Sequence, residues 1–248
     1  MPITLITGPA NAGKAQVVLD SVRRLLARGE EPLLIVPTHA DAEAYLRELA
    51  GEGAAMGVRV QRFDGLIEEV VHRAGAGEAA FGGLGRERLI AALLERHGAL
   101  GGAVGYSPGL VGAAGALLGE LQVQRVSPAR LSQALAAWSA ADGPAPLRDA
   151  IARLYDDYNR ALERIGRLDA EQRAVRALDA VRRNPALWGR TAVALYGFDD
   201  LTPLQIDTIE TLGRVVDTAV TVSLTYEPGR VAFAGRASTF ARLQPLAE

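Results

Sequence analysis

The sequence predicts an α/β protein, a parallel sheet flanked by helices and interrupted by a large all-helical insertion. Three observations carry that reading. The first 75 residues alternate short apolar runs with apolar-periodic segments across short loops, the pattern of a parallel sheet with right-handed crossovers. Residues 86–183 are helical in character and hold no convincing strand. Strand-like runs return late, at 191–196 and 218–225.

The chain opens on an apolar run ending at Thr7, then Gly8-Pro9-Ala10-Asn11-Ala12-Gly13-Lys14-Ala15, then the helical pattern of Val17, Val18, Leu19 and Val22. Strand, tight glycine loop and helix is the context that a phosphate-binding loop requires. Gly8 and Gly13 tolerate backbone angles that a β-carbon penalises, so successive N–H groups can curl around a phosphate. The helix adds the positive end of its dipole and Lys14 a full charge. Lys14 is the only lysine among 27 basic residues. A compact ammonium suits the β- and γ-phosphates better than a planar guanidinium. The candidate nucleotide-binding residues are therefore Gly8, Asn11, Ala12, Gly13, Lys14 and Ala15, with ATP as a weakly held ligand. Ala15 stands where the motif places a Ser or Thr hydroxyl on Mg²⁺, and a methyl group cannot ligate a metal. Mg²⁺ is thus not expected to be well held. The bland alternative is a glycine-rich strand-to-helix turn with no ligand.

Further along, Leu33-Leu34-Ile35-Val36 reads as a buried strand ending at Pro37-Thr38-His39-Ala40. Asp41 is the expected N-cap of a helix over 42–50. Alternation over 58–63 predicts a third strand, and Asp64 the cap of a helix over 65–74. A Gly/Ala-rich loop occupies 75–85. Helices are expected at 86–97, 110–124, 127–140, 147–164 and 169–182, with Ser127 before Pro128 marking one start. Leu147, Ile151, Leu154, Tyr158 and Leu162 form a stripe at helical spacing, for which core packing is the reading preferred over base stacking. After the strand at 191–196 come Gly197-Phe198-Asp199-Asp200, a helix over 204–212 and a strand over 218–225. The tail, 226–248, shows turn signals and arginines but no recognisable closing element, and reads as leading into a longer protein. The expected organisation is 1–85 and 184–225 for the sheet domain, 86–183 for the insertion and 226–248 for the tail.

Composition limits the function classes. A net charge of −2 gives no global attraction to nucleic acid, so any DNA contact must come from a local groove. The absence of cysteine excludes disulfides, thiolate zinc sites and Cys-ligated iron–sulfur clusters within these 248 residues. His39, His72 and His97 lack ligand-like spacing. The N-terminus reads as strand and loop rather than signal peptide, and no segment approaches the ~18 apolar residues of a membrane span. The expectation is a cytoplasmic protein with no membrane partner.

The order of the phosphate loop, Pro37-Thr38, Arg62-Phe63-Asp64 and Gly197-Phe198-Asp199-Asp200 resembles the first RecA-like motor domain of UvrD-like superfamily 1 helicases. The resemblance is closest to the N-terminal part of the AddB/RexB-type component of ATP-dependent helicase–nucleases, over roughly residues 1–225. The stretch Leu195-Tyr196-Gly197-Phe198-Asp199-Asp200-Leu201-Thr202-Pro203-Leu204-Gln205 carries it. This implies a role in double-strand-break repair, a partner helicase–nuclease subunit and single-stranded DNA. In active motors of this kind the acidic strand ends in Asp-Glu; here those positions are Tyr196 and Gly197, and neither can ligate a metal or act as a base. A degenerate motor is the expectation, with an active superfamily 1 helicase or other P-loop ATPase as the alternative. Asp199 and Asp200 read as solvated residues before a helix N-terminus. The resemblance assigns strand contacts to Thr38, His39, Asp41, Arg62, Phe63 and Asp64. Phe63 as a core residue and Arg62 as a solvated one is the competing view. A nuclease core needs a further lysine, so none is expected within this chain.

Overall fold

The computed structural model describes residues 3–51, 53–54, 56–76, 79–97, 107–139 and 145–247. The chain divides into two compact units, Met1–Gly77 with Arg176–Glu248, and Glu78–Val175.

The first unit holds five strands, β1 (Thr4–Gly8), β2 (Leu33–Val36), β3 (Arg59–Arg62), β4 (Val193–Leu195) and β5 (Val220–Thr225). They form one parallel sheet in the order β1-β5-β4-β2-β3. It is the α/β, RecA-like arrangement that the sequence predicts. All four residues of β2 are fully buried, which explains a run with no polar alternation. On one side, α1 (Lys14–Ala27) sets Val18, Leu19 and Val22 against Leu34, Val36 and Ala194. The register places Gly8 beside Thr225, and Val36 beside Arg62, so the carboxyl ends of the strands gather the loops along one edge. That edge is where open α/β sheets bind ligands.

Three local expectations are corrected. Helix α2 (His39–Ala50) is capped by Thr38, not Asp41. The Thr38 hydroxyl accepts from the Asp41 N–H at 3.1 Å, and the Asp41 carboxylate accepts from the Thr38 N–H at 3.2 Å, so the acid is the third residue of a capping box. Helix α3 (Phe63–Arg73) starts straight from the strand, with Arg62 at the N-cap. Asp64 therefore lies in the first turn, where its charge meets the helix dipole, and accepts from the Gly65 N–H. The tail, finally, has a closing element. A 3-10 turn, Val231–Arg236, feeds a helix, Ala237–Ala247, that packs against β1 and against the helix Pro203–Glu210. It buries Thr239, Leu243 and Leu246, a pattern too short and too close to Pro245 to stand out in the sequence.

The second unit is helical, with α4 (Gly83–His97), α5 (Pro108–Val123), α6 (Pro128–Ser139), α7 (Ala145–Ile165) and the start of α8 (Ala170–Arg183). The expected end of one helix at 140 and part of the expected loop at 75–85 lie outside the described residues. Leu154, Tyr158 and Leu162 of the α7 stripe pack with Ile90, Leu94 and Leu118, whereas Leu147 remains 40% exposed. Inside this unit runs a buried polar network. Arg86 Nε donates to the Tyr158 hydroxyl at 3.0 Å and Nη2 to the Gly115 carbonyl at 2.9 Å. Tyr158 and Gln122 both donate to the Asp169 carboxylate, at 3.1 and 2.5 Å. Its other oxygen accepts from the Gln172 N–H at 2.9 Å, starting α8. A β-carbon on Gly115 would lie 3.4 Å from Arg86 Nη1, within ordinary contact. No described helix is long and apolar enough to cross a membrane.

Candidate functional site

The loop between β1 and α1 turns through two left-handed residues, Asn11 at φ 60° and Gly13 at φ 74°. Asparagine and glycine are the residues that adopt this conformation at least cost. Gly8 comes close to Ala12, whose Cβ would sit 3.3 Å from a β-carbon at position 8. Gly13 is the N-cap of α1; it offers no side-chain cap, and the first turn carries no acidic residue. On the same sheet edge, Thr38 and Thr202 close the starts of α2 and Pro203–Glu210 with capping boxes. The start of α1 is left open, as an anion-binding N-terminus must be.

Lys14 lies beneath this loop, 7% exposed. Its ammonium donates to the Gly8 carbonyl at 3.0 Å and to the Pro9 carbonyl. Among the described residues no carboxylate forms an ion pair with it. Burial, and secondarily the Arg236 cation, push its pKa below the ordinary lysine range. The ammonium is therefore folded back onto the loop, held by neutral partners that a phosphate can replace.

The donor set does not fit magnesium. Ala15 presents a methyl group beside Lys14. Tyr196 follows β4, pairs edge-on with Tyr45 of α2 at 5.3 Å and packs into the apolar layer between α1 and the sheet. Burial and this partner raise the Tyr45 pKa. Gly197 has φ 86°, and a β-carbon there would meet Pro37 at 3.3 Å, so a glutamate in its place would be strained.

Asp199 and Asp200 are exposed and precede the helix Pro203–Glu210, as the sequence suggests, and Thr202 is that helix's cap. They also tie down the tail. Asp199 pairs with Arg236 Nη2 at 2.6 Å, and Asp200 accepts from the Leu201 N–H and the Thr239 hydroxyl. Arg236 also donates to the Thr225 carbonyl at 3.3 Å and lies over the Phe233 ring at 5.7 Å. Tyr226 joins the same cluster, bonding to the Gly8 carbonyl through its N–H and stacking on Phe240. Sequence reasoning missed Arg236. The pairing spans 37 residues, and its only local signal was an arginine in a segment with no predicted structure.

The residues assigned to strand contact fall at two neighbouring strand-to-helix junctions, β2 to α2 and β3 to α3, because β2 and β3 pair in register. Thr38 and Asp41 are engaged with each other, and Arg62 forms an ion pair with Asp64 on the surface. His39 is exposed, while Phe63 is half-buried and belongs to neither extreme.

Comparisons with known proteins agree with this architecture. The family described as "ADDB, N-terminal" matches residues 5–248, through the tail and past the expected limit near 225. The chain is 30% identical over its whole length to the B-type component of the ATP-dependent helicase/deoxyribonuclease of Pelotomaculum thermopropionicum, and spans about a fifth of that relative's length (22%). The loop, the sheet order and the tail that closes on β1 are thus the features of a chain that belongs to the AddB N-terminal family.

Proposed function

We propose that this chain is the motor-like N-terminal domain of a DNA-repair helicase–nuclease subunit, one that holds a nucleotide without hydrolysing it and guides single-stranded DNA. The observation that carries the nucleotide half is the open start of α1 with Lys14 buried beneath it on carbonyl partners alone. Ala15, Tyr196 and Gly197 supply neither a metal ligand nor a general base, so bound phosphates stay intact. The relative's name supports a partner subunit and a DNA substrate for the whole protein. For the strand, His39, Arg62 and Phe63 at the adjoining ends of β2 and β3 offer a polar donor, a phosphate contact and a stacking face.

Calorimetry with ATP and turnover by the full-length protein with its partner test the reading. Binding is expected to be weak and lost in Lys14→Ala, with no turnover in the unaltered protein. Turnover is expected only after Ala15→Ser, Tyr196→Asp and Gly197→Glu are combined, and then only if the backbone at position 197, now at φ 86°, relaxes to admit the glutamate. Steady hydrolysis by the unaltered protein would instead establish an active motor.

A further inference from the structure

The phosphate loop faces a second cation that no part of its motif supplies. Arg236 hangs from the Thr225 carbonyl, and Thr225 is the register partner of Gly8, the residue whose carbonyl holds Lys14. The two basic groups are thus anchored on adjacent parallel strands, which lie about 4.8 Å apart. The Arg236 charge adds to burial in pushing the Lys14 pKa down.

Arg236 is not a loose surface arginine. Its side chain is 25% exposed, and it ends the 3-10 turn that leads into the tail helix. That helix is fixed by the Thr239–Asp200 bond and by buried Leu243 and Leu246. Its acidic partner, Asp199, is 76% exposed and well solvated. A solvated carboxylate contributes little to such a pair and is easily exchanged for another anion. Two cations held on one sheet edge repel each other unless an anion lies between them.

We propose that the loop binds the polyphosphate of a nucleoside triphosphate without a divalent cation, Arg236 standing where a magnesium ion would otherwise neutralise the phosphates. The inference rests on the nucleotide reading given above and adds a metal-free mode to it. The chemistry suits the residues. A guanidinium grips two phosphate oxygens in a fork, carries a permanent charge, and needs neither a hydroxyl at position 15 nor a carboxylate at 196. Asp199 then holds the guanidinium in the empty site and releases it to the phosphates.

The test is calorimetry of ATP with this chain, in excess EDTA and in excess Mg²⁺. The wild type is expected to bind at least as tightly in EDTA as in Mg²⁺. Arg236→Gln should weaken binding tenfold or more in EDTA, and Arg236→Lys, which keeps the charge but loses the fork, should fall between. Melting curves on each variant confirm that the fold persists, and the lysine variant serves if the glutamine variant unfolds. Wild-type binding that strengthens tenfold on adding Mg²⁺ overturns the proposal. So does Arg236→Gln binding like wild type while Lys14→Ala does not bind, a result that leaves the nucleotide reading standing. Equal binding by Lys14→Ala and wild type would overturn both.

Discussion

Lys14 is a buried basic group and Arg86 a half-buried one, and their surroundings differ in kind. Arg86 sits among internal partners: a phenol, a backbone carbonyl, and through Tyr158 the Asp169 carboxylate. Lys14 has two backbone carbonyls and no acid beside it among the described residues. A half-buried charge held by polar and charged partners contributes to the uniqueness of the fold. A buried one held only by neutral groups lacks the counter-charge that would offset its desolvation, and a ligand can supply it. The helical unit therefore uses its polar interior for itself, and on the proposed reading the α/β unit keeps one for an anion.

The contrast can be broken most forcefully at Asp169, which is 1% exposed. Asp169→Ala strands the Tyr158 and Gln122 donors and removes the start of α8, at a cost of about 3–5 kcal/mol. Denaturant unfolding measures it, and a loss under about 1 kcal/mol would mean that the network is dispensable. Alkali probes the same place more gently. Burial and the Asp169 charge push the Tyr158 pKa up to about 12, from 10.0 unfolded. Between those values the unfolded chain has lost the proton that the folded one keeps, so stability falls as pH rises from 10 to 12, by about 2–3 kcal/mol. Tyr158→Phe should remove that share of the decline, although it loses the two hydrogen bonds at neutral pH. Lys14 is expected to give the smallest effect and the opposite sign. Lys14→Met replaces a buried cation with an apolar chain of similar length, leaving stability unchanged or raised by up to about 1 kcal/mol, while nucleotide binding disappears. A marked loss of stability in that variant would place Lys14 with Arg86 among the residues that serve the fold.

What was legible in the sequence was what short spacing determines. Gly8 to Lys14 identifies its loop because strand, glycines and helix follow within a few residues. β2 is evident because four apolar residues in a row need cover on both faces. Neighbouring residues that share a polar character were harder to separate. Thr38 and Asp41 are both capping residues, and only the backbone geometry assigns the cap to the first. Asp199 and Asp200 read as solvated residues before a helix, and nothing local records that their partners are Arg236 and Thr239, far along the chain. Arg86, Gln122, Tyr158 and Asp169 come from four separate segments, and no local periodicity records their meeting.

The placement of β1 at the edge of the sheet also dictates when the phosphate loop can exist. Its neighbour in the sheet is β5, which leaves the ribosome roughly 200 residues later. At about 5–20 residues per second, the first strand waits on the order of 10–40 s for its partner. The helical segment between them is continuous in sequence and carries its own apolar core. It is complete well before the sheet can close. Gly8 and Lys14 are made long before the strand that completes their cradle.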